Sequence, residues 1–291
     1  MTHFTAMLKK YRNIISAILI LVSLDSSSQT VNYSPKYFGP NALPVPEFTD
    51  ATIAGFTTLS VSWNYYSGFG DRTSNPFIKA EIPLIRSKVS FKIWGTAAER
   101  YTTTLDIRDK RASTEEVPVG TANGDVYVQT RILLFEEQKI RPSVILNSTL
   151  KTASGNDFGA RRYFDTPGYY FDLETGKSFP VESTFLKKIR IVADAGFLCW
   201  ETTNSKQNDA LMYGAKIIMS SKNMEFENSI SGYSGWMNNG DHPIVYSSQL
   251  TQKNKRINFF GQYQYGIRDF PYHHARVGFL IPIEALTPDY K

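Results

Sequence analysis

Residues 125–151 read DVYVQTRILLFEEQKIRPSVILNSTLK, and this stretch decides the fold. In its first part Val126, Val128, Thr130, Ile132 and Leu134 alternate with Asp125, Gln129 and Arg131, the period of two that marks a β-strand. A polar turn over 136–139 leads into a second run. There Val144, Leu146 and Leu150 share a face with Pro142, while Asn147, Thr149 and Lys151 share the other. The pair reads as an antiparallel hairpin with one apolar and one charged face, each strand long enough, at about 9–11 residues, to cross a bilayer at a tilt. A soluble sandwich would bury the apolar face against a second sheet. A membrane barrel would turn it to lipid and line a wet or ion-paired lumen with the charged face.

The rest of the chain follows the second pattern. Strand candidates run from LSVSWNYY and FIKAEIPL through KVSFKIWG to the hairpin, and then through residues 169–175, KIRIVADAGF, LMYGAKIIM, MEFENSI, IVYSSQL, INFFGQYQYG and HARVGFLIPI. This predicts an all-β antiparallel transmembrane barrel of about 12 strands, an even number as single-chain bacterial barrels have. No helical periodicity of useful length interrupts it. The connections at 86–87, 136–139, 220–223 and 252–255 are short and polar, whereas those at 97–123, 153–168, 202–209, 235–242 and 268–273 are longer. That alternation is the signature of short periplasmic turns and long outer loops, with 178–187 as the imperfect case. With the processed N-terminus in the periplasm, parity puts both chain ends on that side. Trp63, Trp94 and Trp200 fall toward the outer ends of their strands, where an aromatic belt belongs.

The first 29 residues carry Lys9, Lys10 and Arg12, an apolar run over 14–24 and the tail Ser26-Ser27-Ser28-Gln29, the organisation of a secretory signal peptide. Residues 30–55 are proline-rich and lack alternation. Such a segment could fold into the lumen, lie along the periplasmic rim or dock a partner, and Tyr37, Phe38, Leu43 and Val45 favour docking to another outer-membrane protein. Residues 56–284 form the barrel and 285–291 a tail. The net charge of +5 comes from singly scattered basic residues, which argues against nucleic acid. A single cysteine, Cys199, excludes an internal disulfide and a cysteine-rich zinc site. The 17 Tyr and 19 Phe suit interfacial girdles.

Turning each polar face inward gives the expected lumen. The early strands contribute Lys79, Glu81, Lys92, Asp125, Arg131 and Lys151. The middle strands contribute Asp172, Glu174, Arg190, Asp194 and Lys216. The last contribute Glu225, Glu227, Arg268 and Arg276. Both signs interleave and neither dominates a ring, which predicts an ion-paired, narrow or closed interior without charge selectivity.

The run GDVYVQTRILLFEEQKIRPSVILNSTLKTASGND, residues 124–157, resembles outer-membrane barrels of the meta-pathway phenol-degradation, or aromatic-catabolism transporter, family. YFDLETGKSF and the closing HARVGFLIPI are compatible with it. The resemblance implies passage of small hydrophobic or aromatic compounds. The chain departs from that pattern in ending EALTPDYK, without a terminal aromatic residue. The signal end and FGPNALPVPE are similar to secreted proteins of the Bacteroidetes type, where such barrels also serve as fixed subunits of larger outer-membrane machines.

Other chemistry is thinly represented. His242, His273 and His274 are the histidines of the processed chain, and adjacent strand residues cannot face one metal, so no metal or cofactor is expected. A lipid hydrolase would need a serine paired with His274, and no spacing supplies one. Arg161, Arg162 and Tyr163, with Tyr169 and Tyr170 beyond, could grip an anionic or aromatic ligand or lipopolysaccharide phosphates from an outer loop. The sequence therefore points to a non-enzymatic barrel in the bacterial outer membrane, in contact with its lipid and lipopolysaccharide. Its first reading is a passive channel for a small solute, hydrophobic solutes included. A closed accessory subunit of an outer-membrane complex is the alternative.

Overall fold

The computed structural model describes residues 31–202, 207–254 and 256–288. The signal peptide and the last residues of the tail lie outside them. In chain order the elements are β1 (Thr57–Gly68), β2 (Asp71–Ile85), β3 (Val89–Thr96), β4 (Glu99–Thr103), α1 (Leu105–Lys110), β5 (Val119–Ala122), β6 (Val126–Phe135) and β7 (Ser143–Lys151). There follow β8 (Gly168–Pro180), β9 (Lys188–Glu201), β10 (Gln207–Ser220), β11 (Met224–Gly235), β12 (Ile244–Gln252), β13 (Asn258–Arg268) and β14 (His273–Ile283).

Twelve of these strands close into one antiparallel barrel, with β3 followed by β6 around the wall and β1 pairing β14 from Thr57↔Ile283 to Ser67↔His273. Closure leaves no barrel strand with an unpaired edge, as a lipid-embedded sheet requires. Along the middle of the twelve strands the outward positions carry no Asp, Glu, Lys or Arg. Trp63, Tyr65, Tyr246 and Tyr265 are exposed toward the long-loop end, and Phe135, Phe179 and Phe259 toward the short-turn end. An apolar band between two aromatic girdles is the surface that a bilayer solvates.

The 97–123 connection is built rather than irregular. Thr104 caps α1, its hydroxyl accepting the Ile107 N–H, while β4 pairs with the upper part of β2 and β5 pairs with β4. This folded extension and its six-residue helix are absent from the sequence reading. The β1–β2 connection also departs from the loop pattern, being a tight turn at the outer end. Its central residues Phe69 and Gly70 both have positive φ, 49° and 65°, which suits the twist of a two-residue hairpin and which a bulky residue such as Phe69 rarely adopts.

Residues 32–56 run down the inside of the barrel. At the long-loop end Asn32 donates its side-chain amide to Asn239 O, 3.0 Å, and Asn239 donates back to Tyr33 O, 3.2 Å. The segment leaves at the short-turn end and enters β1. The start of β1 and the end of β14 thus share the short-turn end, as parity expects, while residues 32 and 33 lie at the long-loop end.

Candidate functional site

The barrel holds its N-terminal segment in three tiers. The outer tier is an aromatic cluster of Tyr33, Phe38, Phe158 and Phe164, with the Phe38 and Phe164 rings 4.3 Å apart. The Tyr272 hydroxyl donates to Phe38 O at 2.7 Å, and Gly39 N–H to Arg161 O at 2.8 Å. Gly39 allows close approach here, because an added Cβ would lie 2.6 Å from the Arg162 guanidinium carbon. In the middle tier the Tyr233 hydroxyl reaches Leu43 O at 3.3 Å. In the inner tier Lys216 donates to Phe48 O at 2.7 Å, Arg190 to Asp50 O at 2.6 Å and Ser143 to Ala51 O at 2.9 Å. Phe48 and Ala51 pack against the inward-facing Val192 and Ile218 as an apolar seal. The anchors expected to dock a partner are thus used inside the molecule: Phe38, Leu43 and Val45 are buried, and Tyr37 meets Phe69 edge-on.

The wall from β6 to β10 carries the charges that grip the segment. Arg131 lies between Glu81, 2.8 Å, and Glu174, 3.2 Å, and Glu174 also accepts the Thr49 N–H at 2.8 Å and the Thr49 hydroxyl at 2.5 Å. Lys151 pairs with Asp125 at 2.9 Å, Asn147 donates to Asp172 at 2.5 Å, and Arg190 meets Glu137 of the inner turn. Asp194 is buried on the same wall.

A second network closes the outer end. Arg162 donates to Asp71, Glu99 and Thr73, each at 2.6 Å, and Arg111 donates to Asp71 at 2.6 Å. Burial disfavours the charge of Arg162, but Asp71 and Glu99 outweigh it and hold the guanidinium above its ordinary value. Tyr163 donates to Glu99 at 2.9 Å, and burial together with that carboxylate pushes its phenol up.

Several expected positions are corrected. Arg161, Arg162 and Tyr163 are not a free ligand loop: all three are buried, and Arg161 donates to Arg111 O, Ala112 O and Phe158 O. Tyr169 faces outward beside Phe171, and Tyr170 is buried in the lumen beside Trp200. Trp63 is 53 % exposed on the outer face, but Trp200 is 1 % exposed and Trp94 lies against Tyr127, their ring centroids 5.3 Å apart. Both sit an even number of residues from an inward charge, Trp94 from Lys92 and Trp200 from Arg190, so alternation sends them into the lumen. Arg268 ends β13 with a side chain 60 % exposed at the rim, next to Asp269, rather than lining the lumen. His274 is buried against Tyr66, its Nε2 3.0 Å from Asn64, with no serine bonded to it among the described residues.

The segment fills only part of the lumen. Beside it lies a cavity of about 330 Å³, bounded by residues 44–50 on one side and by Ser229, Ser231, Ser247, Gln249, Gln262 and Gln264 of β11–β13 on the other. Lys79, Lys92, Lys216, Glu225, Glu227 and Arg276 also line it.

No family model matches the chain, and no curated protein matches it in sequence. Solved structures do. An outer-membrane channel from Pseudomonas putida F1 superposes with a TM-score of 0.54 at 9 % identity, covering 82 % of this chain and 100 % of that one. The NanC porin matches at 0.49, with 11 % identity over 77 % of this chain and 100 % of its own. The KdgM porin, solved in complex with disordered oligogalacturonate, matches at 0.46, with 10 % identity over 77 % and 99 %. The fold is that of an outer-membrane β-barrel. At such identities the likeness is one of architecture, and the interior just described is read from this chain's own residues.

Proposed function

We propose that the protein is a passive outer-membrane channel for a small solute, narrowed by its own residues 32–56 to a path along β11–β13. The observation that supports this most directly is the cavity between the segment and the serine- and glutamine-lined wall. A barrel serving only as a closed scaffold has no need of an unfilled polar side, since buried polar groups cost free energy unless paired. Kinship with channels of the phenol-degradation type belongs to the same proposal and is supported by the 124–157 hairpin together with the fold shared with the Pseudomonas channel.

Planar-bilayer recording tests it. The purified protein should give small unitary currents, and a variant lacking residues 32–48 should give currents several-fold larger, because the wet cross-section of a barrel of this size is otherwise set by its wall. Unchanged silence from that variant, when it still migrates as a folded heat-modifiable barrel, contradicts the proposal.

A further inference from the structure

We infer that the open side of the lumen takes a small hydroxylated carboxylate, and that Glu47 occupies its anion site at Arg276 as a tethered counter-ion. The inference rests on the channel reading above and names the solute class of that same path.

Interleaved signs along the sequence suggest neutrality, but the pairing around the cavity is uneven. The acids are answered. Glu227 lies 3.3 Å from Lys216, Asp125 lies 2.9 Å from Lys151, and Glu225 meets Lys253 of the inner turn. Asp50 accepts from the N–H and hydroxyl of Thr52. Two of the cations, Lys79 and Lys92, are not. Among the described residues no carboxylate lies within 4.0 Å of Lys79 or Lys92, since Glu81 is taken by Arg131 and Ser90. Lys92 reaches only the Gln129 side-chain oxygen, 3.4 Å away, and the Trp94 ring at 5.6 Å. Arg276 has one carboxylate partner among the described residues, Glu47 of the N-terminal segment at 2.8 Å, whose side chain is 46 % exposed, and it also donates to the Asn64 side-chain oxygen at 2.7 Å and lies over the Phe77 ring.

These three cations form a diagonal across neighbouring strands. Arg276 stands level with Asn64 of β1 and Asn75 of β2, Lys79 lies two inward positions further along β2, and Lys92 of β3 pairs in register with Glu81, one inward position beyond. Each inward step covers about 6.6–6.8 Å, so the cations descend along the cavity at intervals that a small anion can hop. Two buried polar atoms on the cavity wall, the Tyr127 hydroxyl and the Gln262 side-chain oxygen, have no hydrogen-bond partner among the described residues. Facing the cations across the space are the hydroxyls and amides of Ser229, Ser247, Gln249 and Gln264. A buried ammonium without a counter-ion is costly, and an orphaned hydroxyl adds to that cost. A solute bearing one carboxylate and several hydroxyls relieves both. Glu47 shows the carboxylate chemistry already in use, on a stretch held extended by Pro44 and Pro46. A solute carboxylate that takes its place at Arg276 releases the segment from β14, which couples entry of the anion to opening.

The test uses the full processed protein and the single variants E47Q, K79Q and K92Q. In bilayers under a salt gradient, the reversal potential of E47Q and wild type should show several-fold preference for chloride over potassium, falling to near parity in K79Q and K92Q. Glucuronate should raise the open fraction of wild type but not of E47Q, in which Arg276 has already lost its tethered carboxylate and keeps only Asn64 and the Phe77 ring. Glucose and glucosamine, of like size and different charge, should do neither. Calorimetric titration of detergent-purified protein with glucuronate reads the site without conduction, and binding should weaken about tenfold in K79Q. Cation preference, selectivity unmoved by K79Q and K92Q, or the same heat from glucuronate and glucosamine would overturn the inference while leaving the channel standing. Absence of current from every form, the truncated barrel included, would instead remove the channel reading.

Discussion

The two halves of the lumen wall are built from the same alternating strands and behave oppositely. From β6 to β10 the wall carries long charged residues that are committed to the N-terminal segment or to a neighbour, as Arg131 is to Glu81, Glu174 and Thr49. On β11 to β13 the hydroxyls and amides of Ser229, Ser231, Ser247, Gln249, Gln262 and Gln264, together with Glu225 and Glu227, line a cavity, while Tyr233 reaches the segment at Leu43 O. The difference teaches that wall chemistry places the segment: it lies where arginine, lysine and carboxylate groups can be satisfied by its backbone and by Thr49, and it stands off the side where hydroxyls and amides predominate.

The largest effect should come from the committed side. Arg131→Ala leaves Glu81 and Glu174 buried without their cation and should cost about 3–5 kcal/mol in urea unfolding from lipid vesicles. Arg276→Ala, whose partner Glu47 is half exposed, should cost about 1 kcal/mol, and equal losses would erase the asymmetry. Phe48→Ala removes the ring that seals against Val192 and Ile218. Hydrogen exchange over residues 44–52 should then accelerate at least about tenfold while the β-strand amides keep their protection, since local opening is cheaper than global unfolding.

A smaller, pH-dependent effect is expected at the inner turn. Burial works to raise the carboxyl of Glu137, but the Ser178 N–H and Arg190 outweigh it and hold the group below the usual range. A depressed folded value means that its stabilisation is present at neutral pH and fades as pH falls through that value. Glu137→Gln should therefore cost about 1 kcal/mol at pH 7 and progressively less as the pH is lowered through the acid range. Smallest of all, Ser229→Ala and Ser247→Ala should each stay within about 0.5 kcal/mol, because neither hydroxyl anchors the segment.

Period-two alternation makes the strands and their approximate number legible, because a strand residue's side is fixed by parity alone, while Arg268 at the end of β13 shows that a strand end escapes that rule. The tryptophans show how that reading slips. Trp94 and Trp200 were placed by height along the strand, although their parity with Lys92 and Arg190 already turned them inward. The Arg161-Arg162-Tyr163 cluster looked like a ligand loop because its partners, Asp71 and Glu99, come from β2 and β4 and are unrelated to it by sequence spacing. The extension of β4, α1 and β5 had a faint signal in the alternation of Glu99, Tyr101 and Thr103, which are buried where Arg100 and Thr102 are exposed. The place of residues 32–56 was not legible. Prolines and scattered apolar residues suit a lumen, a rim and a partner surface alike, and only the surrounding wall separates them.

The account rests on the segment filling one side of the lumen and sparing the other. The variants S229C and S143C, each adding one thiol beside the buried native Cys199, read this with a small methanethiosulfonate reagent. The account predicts modification of S229C at least about tenfold faster than S143C, with the two rates converging once residues 32–48 are removed. Equal rates in the intact protein, or a fast S143C, would contradict it.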